Sequence, residues 1–253
     1  MFKIKRNQKG AATDPAQLVG SVEQAASVAR ENLPWLIPGI VVAVVVGLAA
    51  GGFLWVRQQN EHAAADLIYE GTRSVTERPL EALPRRSEES QKAIESFRKV
   101  LAGYPRSSAA PQAAYLLGNA LSDLKDWEGA VKAYQDFLAR YGDHRPLVPL
   151  VYQRLAYAQL SQGKVDEAEK TLSAVLKIEG ALNKDQALYE LAKIDETLNR
   201  PEGALAHYQE LMKEHPHSPL ADEAAVRIKT VDTRKASRVT PTPPVPNSPP
   251  AAQ

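Results

Sequence analysis

Cysteine is absent from the 253 residues. That excludes disulfides, thiolate metal sites and cysteine nucleophiles. Aromatic residues are few, with four Phe and three Trp, while Ala and Leu are plentiful. A β-sandwich would need aromatic and β-branched alternation, so close-packed helices are the better expectation. A dominant sign of charge is lacking too. Thirty-one Lys and Arg balance thirty Asp and Glu, for a net charge of +1, so nothing in the bulk electrostatics draws the chain to nucleic acid. Neither a GxxxxGK[ST] nor a GxGxxG phosphate cradle occurs. The five histidines, His62, His144, His207, His215 and His217, are scattered. His215 and His217 flank a proline, which prevents the i, i+4 helical metal geometry. No metal, cofactor or catalytic residue is therefore expected.

Charge is missing altogether from residues 32–56, which include WLIPGIVVAVVVGLAAGGFLWV over 35–56. At ~1.5 Å per residue this run can cross a hydrocarbon core of ~30 Å. Trp35 and Trp55 stand at its ends, where amphipathic rings favour the headgroup layer. The run is longer than the ~7–15 apolar residues of a cleaved signal and starts later, so an uncleaved single span is expected. Lys3, Lys5, Arg6, Lys9 and Arg30 precede it. Arg57 and Arg73 follow it, amid Glu61, Asp66, Glu70 and Glu77. The positive-inside tendency puts the N-terminus in the cytoplasm and the rest outside. Ala43, Gly47 and Gly51 form a small-residue stripe suited to packing against another span or a second copy of the chain. The ordinary frequency of glycine in membrane helices explains it equally well.

Downstream, four segments align: AIESFRKVLAGYP from Ala93, AVKAYQDFLARYG from Ala130, AEKTLSAVLKIEG from Ala168 and ALAHYQELMKEHP from Ala204. They recur every 36–38 residues. Each carries Phe97, Tyr134, Leu172 or Tyr208 four residues after its alanine. Ahead of the last three lies a second helical stretch, with Gly118, Ala156 or Ala192 twelve residues before the repeat alanine. Small residues at that spacing let two antiparallel helices approach closely, and pairs too small to fold alone must stack. The expectation is an all-α chain: one N-terminal transmembrane helix, then a right-handed solenoid of antiparallel helix pairs. Gln159 and Asp195 stand where the first of these pairs has Leu121, so the last two pairs are expected to pack differently or to be shifted.

The expected layout has a basic cytoplasmic arm with a short amphipathic helix over 1–34 and the span over 35–56. A helical stalk with a degenerate first repeat follows over 57–91, with Gly71 as a weak point. Repeats with a capping helix cover 92–232, and a Pro-rich disordered tail covers 233–253.

The Leu117-Gly118, Leu155-Ala156 and Leu191-Ala192 pairs, the repeat alanines and the closing Pro or Gly resemble tetratricopeptide repeats, whose ideal period is 34. The closing YPRSSAA and HPHSPLA are similar to those of bacterial envelope repeat proteins, among them the periplasmic partner of the Tol–Pal system and the outer-membrane assembly lipoprotein. The whole layout is most similar to the ancillary subunit of the SecYEG translocon. That resemblance implies a single-pass inner-membrane protein whose repeats sit in the periplasm. They would bind envelope proteins, SecYEG or exported chains without enzymatic activity. The alternative it implies is a scaffold or assembly factor of an envelope machine.

In such solenoids the first helix of each pair lines the groove. Its inward positions would be Gln112, Tyr115, Asn119, Gln153, Tyr157, Gln186, Tyr189 and Lys193. Three tyrosines with amides and a lysine between them suit an extended peptide; interhelical packing of those tyrosines is the competing reading.

Overall fold

The computed structural model describes the backbone of residues 15–76 and 83–239, and within them the side chains of Ser27, 37–76 and 87–235. The described residues form helices only: α1 Pro15–Thr76, α2 Leu83–Gly103, α3 Ala110–Asp123, α4 Trp127–Tyr141, α5 Val148–Ser161, α6 Val165–Leu176, α7 Lys184–Thr197, α8 Pro201–Glu214 and α9 Ala221–Val239. The chain divides into two units, Met1–Gln59 and Asn60–Gln253.

In the first unit α1 begins at Pro15, a residue pre-set for a first helical turn. From Ile37 to Val56 its large apolar side chains are exposed, Leu48 at 72% and Phe53 at 68%. It is the one helix among the described residues long and apolar enough to cross a membrane. Among the described residues, a Cβ added at Gly47 or Gly51 would meet nothing within 4 Å, so those two positions are open on the helix surface.

The second unit is a helical solenoid. Successive helices pack from α2 on α3 through to α8 on α9, and the pairs are α3–α4, α5–α6 and α7–α8, with α9 following the last. Three turns within pairs share one hydrogen-bond pattern. The N–H of Asp126, Lys164 and Arg200 donates to the carbonyl of Leu121, Gln159 and Asp195, at 3.0, 2.9 and 2.8 Å. The N–H of the residue before donates to Ser122, Leu160 and Glu196. These are Schellman closures, which need a left-handed residue just past the helix. Lys125 (φ 60°), Gly163 (φ 75°) and Asn199 (φ 58°) supply it. The three turns are therefore in one register, and the shift expected for the last two pairs does not occur.

A first pair also forms, where only a degenerate repeat is expected. Ala64 and Ile68 of α1 are buried in one cluster with Ala93, Phe97 and Val100 of α2. A Cβ on Gly71 would come within 2.6 Å of the Phe97 ring, just as one on Gly118 would collide with the Tyr134 ring. Gly71, expected as a weak point, is thus the close-approach residue of this pair. The expected stalk-to-repeat boundary at 91/92 falls inside α2. At the other end α9 runs to Val239, past the expected start of the tail at 233. The proline-rich stretch beyond it, the basic residues before Asp14 and the break at Pro79 lie outside the described residues.

Gln159 and Asp195 differ from Leu121 in polarity rather than in place: all three are buried. The Asp195 carboxylate is satisfied, by Arg200 Nε at 2.7 Å and His207 Nδ1 at 2.9 Å. Gln159 Oε1 is buried with no partner among the described residues. Gln159→Leu, copying Leu121, is expected to raise stability by about 1 kcal/mol, because an unpaired buried acceptor is removed and the shape kept. Urea unfolding is the check.

Candidate protein-binding face

Aligned on the close-approach residues Gly118, Ala156 and Ala192, the expected groove residues occupy three rows. Tyr115, Gln153 and Tyr189 stand three before; Asn119, Tyr157 and Lys193 stand one after; Gln112 and Gln186 stand six before. Side chains on one helical face recur at such spacings.

The first row is largely used inside the protein. Tyr115 is half-buried against the core. Gln153 accepts from Asn183 Nδ2 at 2.9 Å. Tyr189 is buried, packs on Tyr208 with ring centroids 5.7 Å apart, and donates its hydroxyl to Glu223. For Tyr189 the packing alternative describes the side chain; its hydroxyl and ring are both taken up.

The second row is freer. Tyr157 is 57% exposed, its ring edge-on to Trp127 at 5.8 Å. Lys193 is exposed, 3.1 Å from Glu190 and 5.6 Å from the Tyr189 ring centroid. Asn119 accepts from Tyr134 Oη at 2.8 Å. In the third row Gln112 is exposed, and Gln186 donates to Glu190 Oε1 at 3.1 Å.

Gln153, Tyr157 and Gln186 come together between α5 and α7. With Leu160, Leu172 and Glu190 they line a cleft of about 140 Å³. Its floor is apolar and its rim carries amide, carboxylate and phenol groups, a composition that takes a side chain and orients the backbone bearing it. Gln112, Tyr115 and Asn119 do not line this cleft, nor do Tyr189 and Lys193. Glu190, Leu160 and Arg154 line it without having been singled out from the sequence. Glu190 lies one helical turn after Gln186, the spacing that would have found it.

Side-chain hydrogen bonds also hold the links between pairs. Ser108 donates to Glu61 Oε2 at 2.7 Å, Asn183 to the Pro149 carbonyl at 3.0 Å, and Ser218 to Asp185 Oδ2 at 2.6 Å. Among the described residues no group of three or more His, Asp or Glu could hold a metal ion.

Three interior tyrosines titrate late. Burial pushes the Tyr134 phenol up to about 12. Burial, then the Glu223 carboxylate, pushes Tyr189 up to about 12. Burial, then Glu196, raises Tyr208 further; its hydroxyl is 2.8 Å from Glu196 Oε1. A folded value above the unfolded one means that the stabilisation is complete below pH ~10 and is lost as pH rises towards the folded value. The unfolding free energy is expected to fall from about pH 10 upward, by roughly 1.4 kcal/mol per pH unit for each tyrosine. Tyr208→Phe should flatten that slope, as read by denaturant titrations at rising pH.

The family model described as a tetratricopeptide repeat-like domain matches residues 30–183, and one described as a tetratricopeptide repeat matches 153–219. No curated protein matches the sequence. Solved structures do. MamA 41-end from Desulfovibrio magneticus RS-1 is 17% identical, with 70% of this chain and 98% of that one covered and a TM-score of 0.48. A crystal structure of MamA is 16% identical, with 64% and 97% covered and a TM-score of 0.44.

Proposed function

The chain belongs to the tetratricopeptide repeat-like family, and on that premise we propose that it is a membrane-anchored, non-enzymatic adaptor that holds protein partners on its repeats. The observation that carries this is the cleft between α5 and α7, where exposed Tyr157 stands beside Gln153, Gln186 and Glu190. An apolar floor with hydrogen-bonding groups at its rim suits an extended polypeptide segment. The anchor is the exposed apolar stretch of α1. The excess of Lys and Arg before it favours a cytoplasmic N-terminus and periplasmic repeats. In that compartment the partners are envelope proteins, foremost the SecYEG translocon and chains emerging from it.

A photo-crosslinking residue in place of Tyr157, in intact cells, is expected to capture exported chains or translocon components. Protease added to spheroplasts is expected to digest the repeats. Capture of cytosolic proteins alone, or a protected repeat domain, would overturn the reading. Capture of one envelope machine with general export intact would favour the scaffold role, as with the Tol–Pal or outer-membrane assembly systems.

A further inference from the structure

A second concavity lies between the loops that join the pairs. It is walled by Pro146, Pro149 and Leu150 on one side and by Ile178 and Ala181 on the other, and encloses about 390 Å³. Leu182 also lines its edge and is 97% exposed, and Leu150 is 38% exposed. A lone surface leucine needs no explanation, but one adjoining an apolar groove forms a contiguous patch. The patch also carries two charges, one on each loop: Arg145 before α5 and Glu179 before α7. Both are exposed, and neither has an ion-pair partner among the described residues.

The geometry points to a second copy of this chain as the occupant. A two-fold axis through the patch would bring each α4–α5 loop against the partner's α6–α7 loop. Leu182 of each copy would then enter the other's groove, and Arg145 of each would face Glu179 of the other. A surface that holds its own knob, its own hole and both members of a charge pair is self-complementary, which is what an isologous contact requires. An unrelated partner would have to supply a matching leucine and two matching charges. A contact confined to two loops suits crosslinking at high local concentration.

The absence of cysteine makes the test direct. Two full-length chains with different tags, one Leu182→Cys and the other Leu150→Cys, are co-produced and oxidised in their membranes. A mixed dimer is expected. Arg145→Glu in both chains places glutamates opposite each other at both contacts and should lower the yield about tenfold. Glu179→Arg in both should do the same. Arg145→Glu in one chain with Glu179→Arg in the other restores both opposite-charge contacts and should restore the yield. If Leu150→Cys does not accumulate, Pro146→Cys reports the same groove. Absence of the mixed dimer, a yield indifferent to the charge changes, or crosslinking of Leu182→Cys to a different protein would each overturn the proposal.

Discussion

Phe97→Ala is expected to destabilise the first helix pair by about 3–5 kcal/mol, the range for truncating a buried phenylalanine. Phe97 is 1% exposed, and its ring lies over Gly71, where no side chain exists to close the gap its loss would leave. Within its own pair the ring's cluster holds Ala64, Ile68, Ile94 and Val100, small or medium residues that would fill the cavity only in part. In a solenoid each pair is held only by its neighbours, and an end pair has one neighbour rather than two. The loss should therefore be local. Amide exchange should accelerate through 60–76 and α2, while α5 to α8 keep their protection. An equal loss of protection in all pairs would show that the repeats unfold as one body.

Gly118→Val is expected to cost about 3 kcal/mol or more, at the upper end of overpacking penalties. A Cβ there would approach within 2.7 Å of three Tyr134 ring atoms. The ring cannot yield, because Tyr134 is fully buried and its hydroxyl is tied to Asn119. Leaving glycine improves helix propensity by less than ~1 kcal/mol, which does not offset the clash. The smaller Gly118→Ala should cost less, and combining it with Tyr134→Leu should recover part of the loss, because the third pair already joins Ala156 with Leu172 in one core. That recovery is read as coupling in a double-mutant cycle. Gly103→Ala, where nothing lies within 4 Å, is the neutral control.

The repeats were legible because their signal is short-range. Small residue, alanine and large apolar residue sit at fixed distances within one hairpin, and the turns between helices hold those distances constant. The first pair was legible only as a degenerate repeat, for the same reason. Gly71 precedes Ala93 by twenty-two residues instead of twelve, because its connection is three residues longer than that between α3 and α4 and α2 runs seven residues further before its alanine, and a fixed-spacing search passes over it. The groove was half legible. Helical periodicity places Tyr115, Tyr157 and Tyr189 near one face, but Tyr189 is covered by Tyr208 and, from α9, by Glu223, which takes its hydroxyl. A sequence reading that ends at the repeats has no access to that contact. Asp195 read as a departure from pattern because its partners, Arg200 and His207, come from the following turn and helix.

The three left-handed turns carry a last consequence. Because Lys125, Gly163 and Asn199 close identical hydrogen-bonded caps, a residue added to or lost from one of those turns would break its cap and rotate everything downstream. The loops between pairs absorb the small differences in period instead. The molecule is thus divisible only at those loops, and the natural quantum of its length is one whole hairpin. A chain with α5, α6 and one adjoining loop excised should keep its remaining joints intact, shortened by a single step of the same staircase.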